Sequence, residues 1–278
     1  MKKIYILLLA FSSTTIAFAQ KKEKISGSKI ITSKEKSIHN FNSIEVGDNL
    51  EISLERGEFA EIKIEADDNL VDIIDIDVTD EILHLSTSKK VIKNKALKLK
   101  VTYTNQLNSI TAKNNSVINV IQEIITDNLN VKTFDNAKLF MNASTKNFTL
   151  QADGNSKIEL NLKSEKAKFE LTKAAELKSL THTADLALDM YQKTKAKIEG
   201  EANSSVIRLE NNSALEASKL EINSIDLTTE GQSSGSVNAK KDIIINAIEK
   251  SETELYGDAK IEMKKFTDRA KLSKKQAL

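Results

Sequence analysis

Apolar and polar residues recur in fixed columns over most of this chain. In residues 143–162, Phe148, Leu150 and Ala152 alternate with polar residues. Asp153, Gly154 and Asn155 then turn the chain, and Ser156, Ile158, Leu160 and Leu162 alternate again. A period of two places one set of side chains on one face of a half-buried strand. The same unit returns along the sequence. Ser116, Ala137, Ser156, Ala175, Thr194, Ser213, Ser233 and Ser251 are all small, and they follow one another at near-constant spacing. Four successive steps, from Ala137 to Ser213, are identical. The step before them is slightly longer, and the last two are one longer and one shorter. Six positions before each stand Ile110, Val131, Leu150, Phe169, Leu188, Ile207, Leu227 and Ile245, all large and apolar. The residues that follow these, Thr111, Lys132, Gln151, Glu170, Asp189, Arg208, Thr228 and Asn246, are all polar.

A near-fixed period of this size predicts a right-handed parallel β-helix, a β-solenoid with coils of about 19 residues. One unit cannot bury its apolar face alone, so successive units stack. Eight coils at the inter-strand spacing make a rod of roughly 38 Å. The small column is expected inside a tight corner. The column just before it holds Asn115, Asn136, Asn155 and Asn212, and asparagine is expected there to supply left-handed backbone. An antiparallel sandwich or meander also uses short alternating strands, but it predicts no long-period column of constant character. A left-handed hexapeptide helix would need a six-residue pattern, which is absent.

The flanks read differently. Residues 1–19 predict a secretory signal: Lys2 and Lys3 precede an apolar run, and Ala17-Phe18-Ala19 fits the small-x-small cleavage pattern. That run is too short to span a bilayer. The chain contains no cysteine, which removes disulfides, thiolate metal sites and a cysteine nucleophile. Residues 20–36 are polar and lysine-rich, as in an exposed linker or a frayed first strand. Residues 37–105 form a strand-rich N-terminal region. In it, residues 69–77 fit either a helical turn or a strand. Residues 106–263 carry the repeat. Residues 264–278 are basic and suit a cap or tail that protects the open end of a solenoid.

Residues 41–85 carry a family resemblance. Phe41-Asn42-Ser43-Ile44-Glu45-Val46, then Leu50, Ile52, Leu54 and Gly57, resemble the opening of the GIN domain, also called the putative auto-transporter adhesin head domain. Ile64-Glu65-Ala66-Asp67-Asp68-Asn69-Leu70 is similar to its V-E-A-D-x-N-L signature, and Asp77-Val78-Thr79-Asp80-Glu81-Ile82-Leu83 resembles the segment after it. The family usually has Gly where Glu81 stands, and Ser-Gly-Ala-Ser at later turns where this chain has Asn-Asn-Ser, Asp-Asn-Ala and Gly-Asn-Ser. The resemblance implies a secreted, all-β, right-handed parallel β-helix and carries over no catalytic residues.

Charge and chemistry change this picture little. Without Lys2 and Lys3 the chain has 39 basic and 40 acidic residues, a net charge of −1. No global field attracts nucleic acid or an anionic membrane. Residues 64–88 lack Lys and Arg and hold Glu65, Asp67, Asp68, Asp72, Asp75, Asp77, Asp80 and Glu81. Clustered carboxylates can bind Ca²⁺, yet the spacing matches no EF-hand loop, and solvated strand edges account for it. His39, His84 and His182 are scattered, with His84 expected to point outward between Leu83 and Leu85. Gly231-Gln232-Ser233-Ser234-Gly235 comes nearest to a nucleophile elbow but falls on a repeat corner. Aromatic sugar platforms are scarce beyond Tyr103, Tyr191 and Tyr256. No catalytic, cofactor or metal residues are assigned.

The sequence therefore predicts a non-enzymatic, exported protein of the cell envelope, periplasmic, surface-associated or released. Adhesin-like interaction is the leading expectation, with a cell-surface glycan or an envelope protein as partner. A carbohydrate-active or polysaccharide-binding β-helix and a periplasmic partner of an envelope signalling system are the alternatives.

Overall fold

The computed structural model describes residues 22–276; the signal-like residues 1–19 lie outside them. The chain is nearly all strand and forms a β-solenoid of about nine turns with coils of about 19 residues. A regular coil is one long strand folded at a bend and closed by a tight turn. In Lys138–Ala152, alternation buries Leu139, Met141, Ala143 and Thr145. Lys146 and Asn147 are both exposed, and this break in the alternation marks the bend. Phe148, Leu150 and Ala152 then resume burial. The next strand, Lys157–Leu171, pairs with it in parallel, Leu150 facing Phe169 and Leu139 facing Ile158. The apolar column from Ile110 to Ile245 is buried in all eight coils, and so is the small column from Ser116 to Ser251. Phe148 and Phe169 meet edge to face inside the core, their centroids 6.1 Å apart.

The corner corrects one expectation. Left-handed backbone falls at Asn114, Asp135, Lys173, Gln192, Asn211 and Glu249, and at Gly154 and Gly231, two positions before the small column rather than one. The Ala137 amide donates to the Phe134 carbonyl at 3.1 Å, so Asp135 is the first central residue of a four-residue turn. Positive φ at that position alone is the sign pattern of a type II′ turn. The asparagine column sits at the second central position and does something else. Asn115 donates its side-chain amide to Asn49 at 2.9 Å, Asn136 to Asn115 at 3.0 Å, and Asn155 to Asn136 at 3.2 Å. Asparagine is placed there to build a ladder of amides along the rod.

Two irregular spacings have direct causes. The longer of the late repeats contains a strand of 16 residues, Ala214–Thr229, and the shorter one a strand of 14 residues, Ser234–Ala247. At the longer strand the register slips between Lys197 and Gly200 of the preceding coil.

The N-terminal region is built out of chain order. Ile44 pairs with Ile110 on one side and Leu83 on the other. Ile52 lies between Ile118 and Leu99. The coil made by Ser43–Val46 and Glu51–Arg56 is thus inserted between residues 82–103 and residues 109–120. Beyond it, Glu61–Asp67 pairs antiparallel with Leu97–Tyr103, and Ile74–Thr79 antiparallel with Ile82–Thr87. These strands close the end of the stack. Residues 69–77 combine both expected forms, a 3₁₀ turn at Asp68–Ile73 followed by the strand Ile74–Thr79.

Both polar flanks are more structured than their composition suggests. From residue 22 onward the segment takes the strand form rather than the linker form: Lys24–Ser26 pairs with Lys90–Lys93, and Ile31–Ser37 adds antiparallel to Glu61–Asp67. Every residue of Ile31–Ser37 is exposed, so an edge strand here shows no apolar alternation to read. Its Lys34, Glu35 and Lys36 guard the edge against further pairing. At the other end, Lys260–Phe266 and Lys271–Lys274 continue the parallel ladders, and Asp268 repeats the left-handed corner. The solenoid therefore runs past residue 263 into the basic segment.

Candidate functional site

The signature Glu65-Ala66-Asp67-Asp68-Asn69-Leu70 is a clasp. Asp67 is fully buried. Its carboxylate accepts the backbone amides of Lys29 at 2.9 Å, Ala96 at 2.9 Å and Lys95 at 3.2 Å. Asn69 accepts the Ser28 amide at 2.8 Å and donates to the Ser26 carbonyl at 2.9 Å. Three separate segments meet on these side chains, and Gly27 leaves room for the carboxylate: a Cβ there would overlap the Asp67 side chain. Burial pushes the Asp67 carboxyl up, but the amides of Ala96, Lys29 and Lys95 outweigh it and hold its pKa below the ordinary carboxylate value. The group is depressed on folding. Its contribution is therefore present above about pH 4, the unfolded value, and is lost as pH falls through the folded one. Asp67→Ala is expected to speed amide exchange of Ser26–Ser37 roughly ten-fold at neutral pH, with the coils after residue 137 unaffected. Hydrogen exchange resolved by segment checks this.

The other candidates from the sequence are dispersed. Asp68 holds the Ser28 hydroxyl and Asp77 the Thr79 hydroxyl. Among the described residues, no three His, Asp or Glu side chains converge in a way that could hold a metal ion. His84 lies across from Asp77 on one neighbouring strand and Glu45 on the other, half-exposed between buried Leu83 and Leu85. His39 and His182 lie elsewhere on the surface. Ser233 is buried at a corner, where no substrate reaches it.

What the rungs do bring together is a groove on the strands that follow the turn. It crosses five successive coils, from Asn119 to Glu199, and is a shallow, open depression of about 590 Å³. Parallel pairing aligns Asn119, Phe140, Glu159, Lys178 and Lys197 in one outward column. It aligns Asn142, Asn161, Leu180 and Glu199 in the next. Asn161 donates to Asn142 at 2.7 Å. Lys178 lies 3.7 Å from Glu159, and Lys197 3.3 Å from Glu199. Phe140 is half-buried and Leu180 is 44% exposed. A search for tyrosine platforms misses Phe140. Parity could have found it: Phe140 shares the outward phase of Lys138 and Asn142, while Leu139, Met141 and Ala143 point in.

Comparison with known proteins agrees with this architecture. A crystal structure of a putative adhesin from Parabacteroides merdae superposes with a TM-score of 0.66 at 15% identity, covering 91% of this chain and 99% of that one. A putative adhesin from Parabacteroides distasonis gives 0.65 at 15% identity, covering 90% and 100%. A putative lipid binding protein from the same species gives 0.66 at 12% identity, covering 91% and 97%. At such identities the likeness is one of fold. No curated protein matches the chain by sequence. No described helix is long and apolar enough to cross a membrane. The family model described as "Putative auto-transporter adhesin, head GIN domain" matches residues 40–181 and 159–259, and the chain belongs to that family.

Proposed function

We propose that this protein is a non-enzymatic, exported interaction module of the cell envelope. It holds its partner on the outside of a rigid rod. The observation that carries this reading is the groove from Asn119 to Glu199, where apolar, amide and charged side chains of five coils line one continuous strip. A solenoid suits the task because each rung repeats the same backbone geometry, so a binding strip lengthens by stacking. Side chains on paired strands are also held in register more firmly than those on loops. The family description and the fold-level likeness to adhesins support the same class of function, although fold alone does not assign one. Purified protein should bind saturably to whole bacterial or host cells, and Leu180→Arg, which places a bulky charge in the groove, should abolish that binding without changing thermal unfolding. Undiminished binding by Leu180→Arg would place the contact elsewhere on the rod.

A further inference from the structure

We infer that the groove takes an uncharged, extended saccharide, an assignment that rests on the interaction reading above and narrows its ligand. The charges of the groove cancel. The groove holds two lysines and two glutamates, and they neutralise each other across rungs as Lys178–Glu159 and along the strand as Lys197–Glu199. Glu199 also lies 3.8 Å from Lys219 in the next coil. A strip whose charges cancel gives neither an anionic nor a cationic polymer a net attraction.

Apolar and amide groups share the same strip. Phe140 and Leu180 stand in an outward surface that is otherwise polar, two rungs and one column apart by the parallel register. The C–H-bearing face of a pyranose can cover each of them and remove apolar area from water. Between them lie the paired Glu159 and Lys178 in one column and, in the other, Asn142 and Asn161, whose amides donate and accept at once. The ladder bond uses one donor of Asn161 and one acceptor of Asn142 and leaves the remaining donors and acceptors to face solvent. Vicinal hydroxyls need paired donors and acceptors of this kind. An extended peptide offers a poorer match, because the strands beneath the groove already pair on both sides within the stack and present no free backbone edge for strand addition.

Phe140 is the platform residue in this arrangement, and Asn161 the orienting one. The test uses two neutral linear probes, cellohexaose and chitohexaose, with a heparin-derived hexasaccharide as the anionic control, titrated calorimetrically against the mature protein. Binding of at least one neutral probe is expected, weakened about ten-fold or more by Phe140→Ala and by Asn161→Ala, with the heparin fragment bound far more weakly. Because Phe140 is half-buried, Phe140→Leu serves as the second variant: it keeps an apolar side chain and should still lose most of the affinity. Stronger binding of the heparin fragment would overturn the assignment. So would neutral binding that all three variants leave unchanged. Cell binding that Leu180→Arg abolishes, with no neutral probe bound, would also overturn it, while leaving the broader interaction reading intact.

Discussion

Leu150→Asp is expected to lower stability by about 4–5 kcal/mol, enough to unfold the central coils. Leu150 is fully buried and lies between Val131 of the coil before and Phe169 of the coil after. Aspartate there removes the packing of a large aliphatic side chain and replaces it with a carboxylate. The neighbouring in-facing positions, Phe148 and Ala152, offer no hydrogen-bond donor from their side chains. In a one-dimensional stack each coil is stabilised only by its neighbours, so the damage extends to the coils on either side. Chemical denaturation followed by circular dichroism gives the answer. A wild-type midpoint for Leu150→Asp would contradict the register.

Gly200→Ala is the second large effect, about 3 kcal/mol. Gly200 has φ +118°, outside the left-handed well that the corner residues occupy near +60°. It lies in register with Thr181 of the preceding coil, and an added Cβ would fall inside contact distance of the Thr181 carbonyl oxygen. The neighbour is backbone, held in a ladder on its other side, so it cannot give way cheaply. Gln192→Ala is the control. Gln192 already carries a side chain at a corner with φ +65°, so alanine there should cost less than about 1 kcal/mol. A loss at Gly200 no larger than the loss at Gln192 would contradict the close approach to Thr181.

The regular coils were legible in the sequence because burial there depends on one period. Phe169, Leu188 and Ile207 fall one coil apart, and each rung buries the same positions, so the pattern repeats often enough to be read. The N-terminal region was not legible in this way. Parallel pairing of Ile44 with both Leu83 and Ile110 joins segments far apart in the chain, and no local pattern encodes that crossover. The exposed edge strand Ile31–Ser37 carries no apolar face at all, so composition suggested a linker. The acidic segment misled for a different reason. Asp67 reads as one more solvated carboxylate among eight acidic residues, yet it is the one that burial and three backbone amides hold in place.

The corner shows how a correct column can be given the wrong role. Asn115, Asn136 and Asn155 form a column that sequence alone reveals, and the preference of asparagine for left-handed backbone suggested the reason. The turn takes its positive φ one residue earlier, at a position that Asp135 and Lys173 occupy as Gly154 does. The asparagines are aligned because parallel, in-register rungs let identical amides bond to one another. The groove was missed for a related reason. Phe140 and Leu180 stand two coils apart and look like ordinary apolar positions until the outward phase of each strand is assigned.

The groove exists only if the rungs stack in register from Asn119 to Glu199. Double electron–electron resonance tests this directly with spin labels in one exposed column beside the turn. Parallel pairing places Val117, Lys138, Lys157, Glu176, Lys195, Ala214, Ser234, Glu252 and Lys271 in that column. With Val117 labelled throughout, the account predicts distances that grow by about 4.8 Å per coil, reaching roughly 19 Å at Lys195 and roughly 38 Å at Lys271. Distances that fail to rise with the number of coils would contradict the stack, and with it the site it builds.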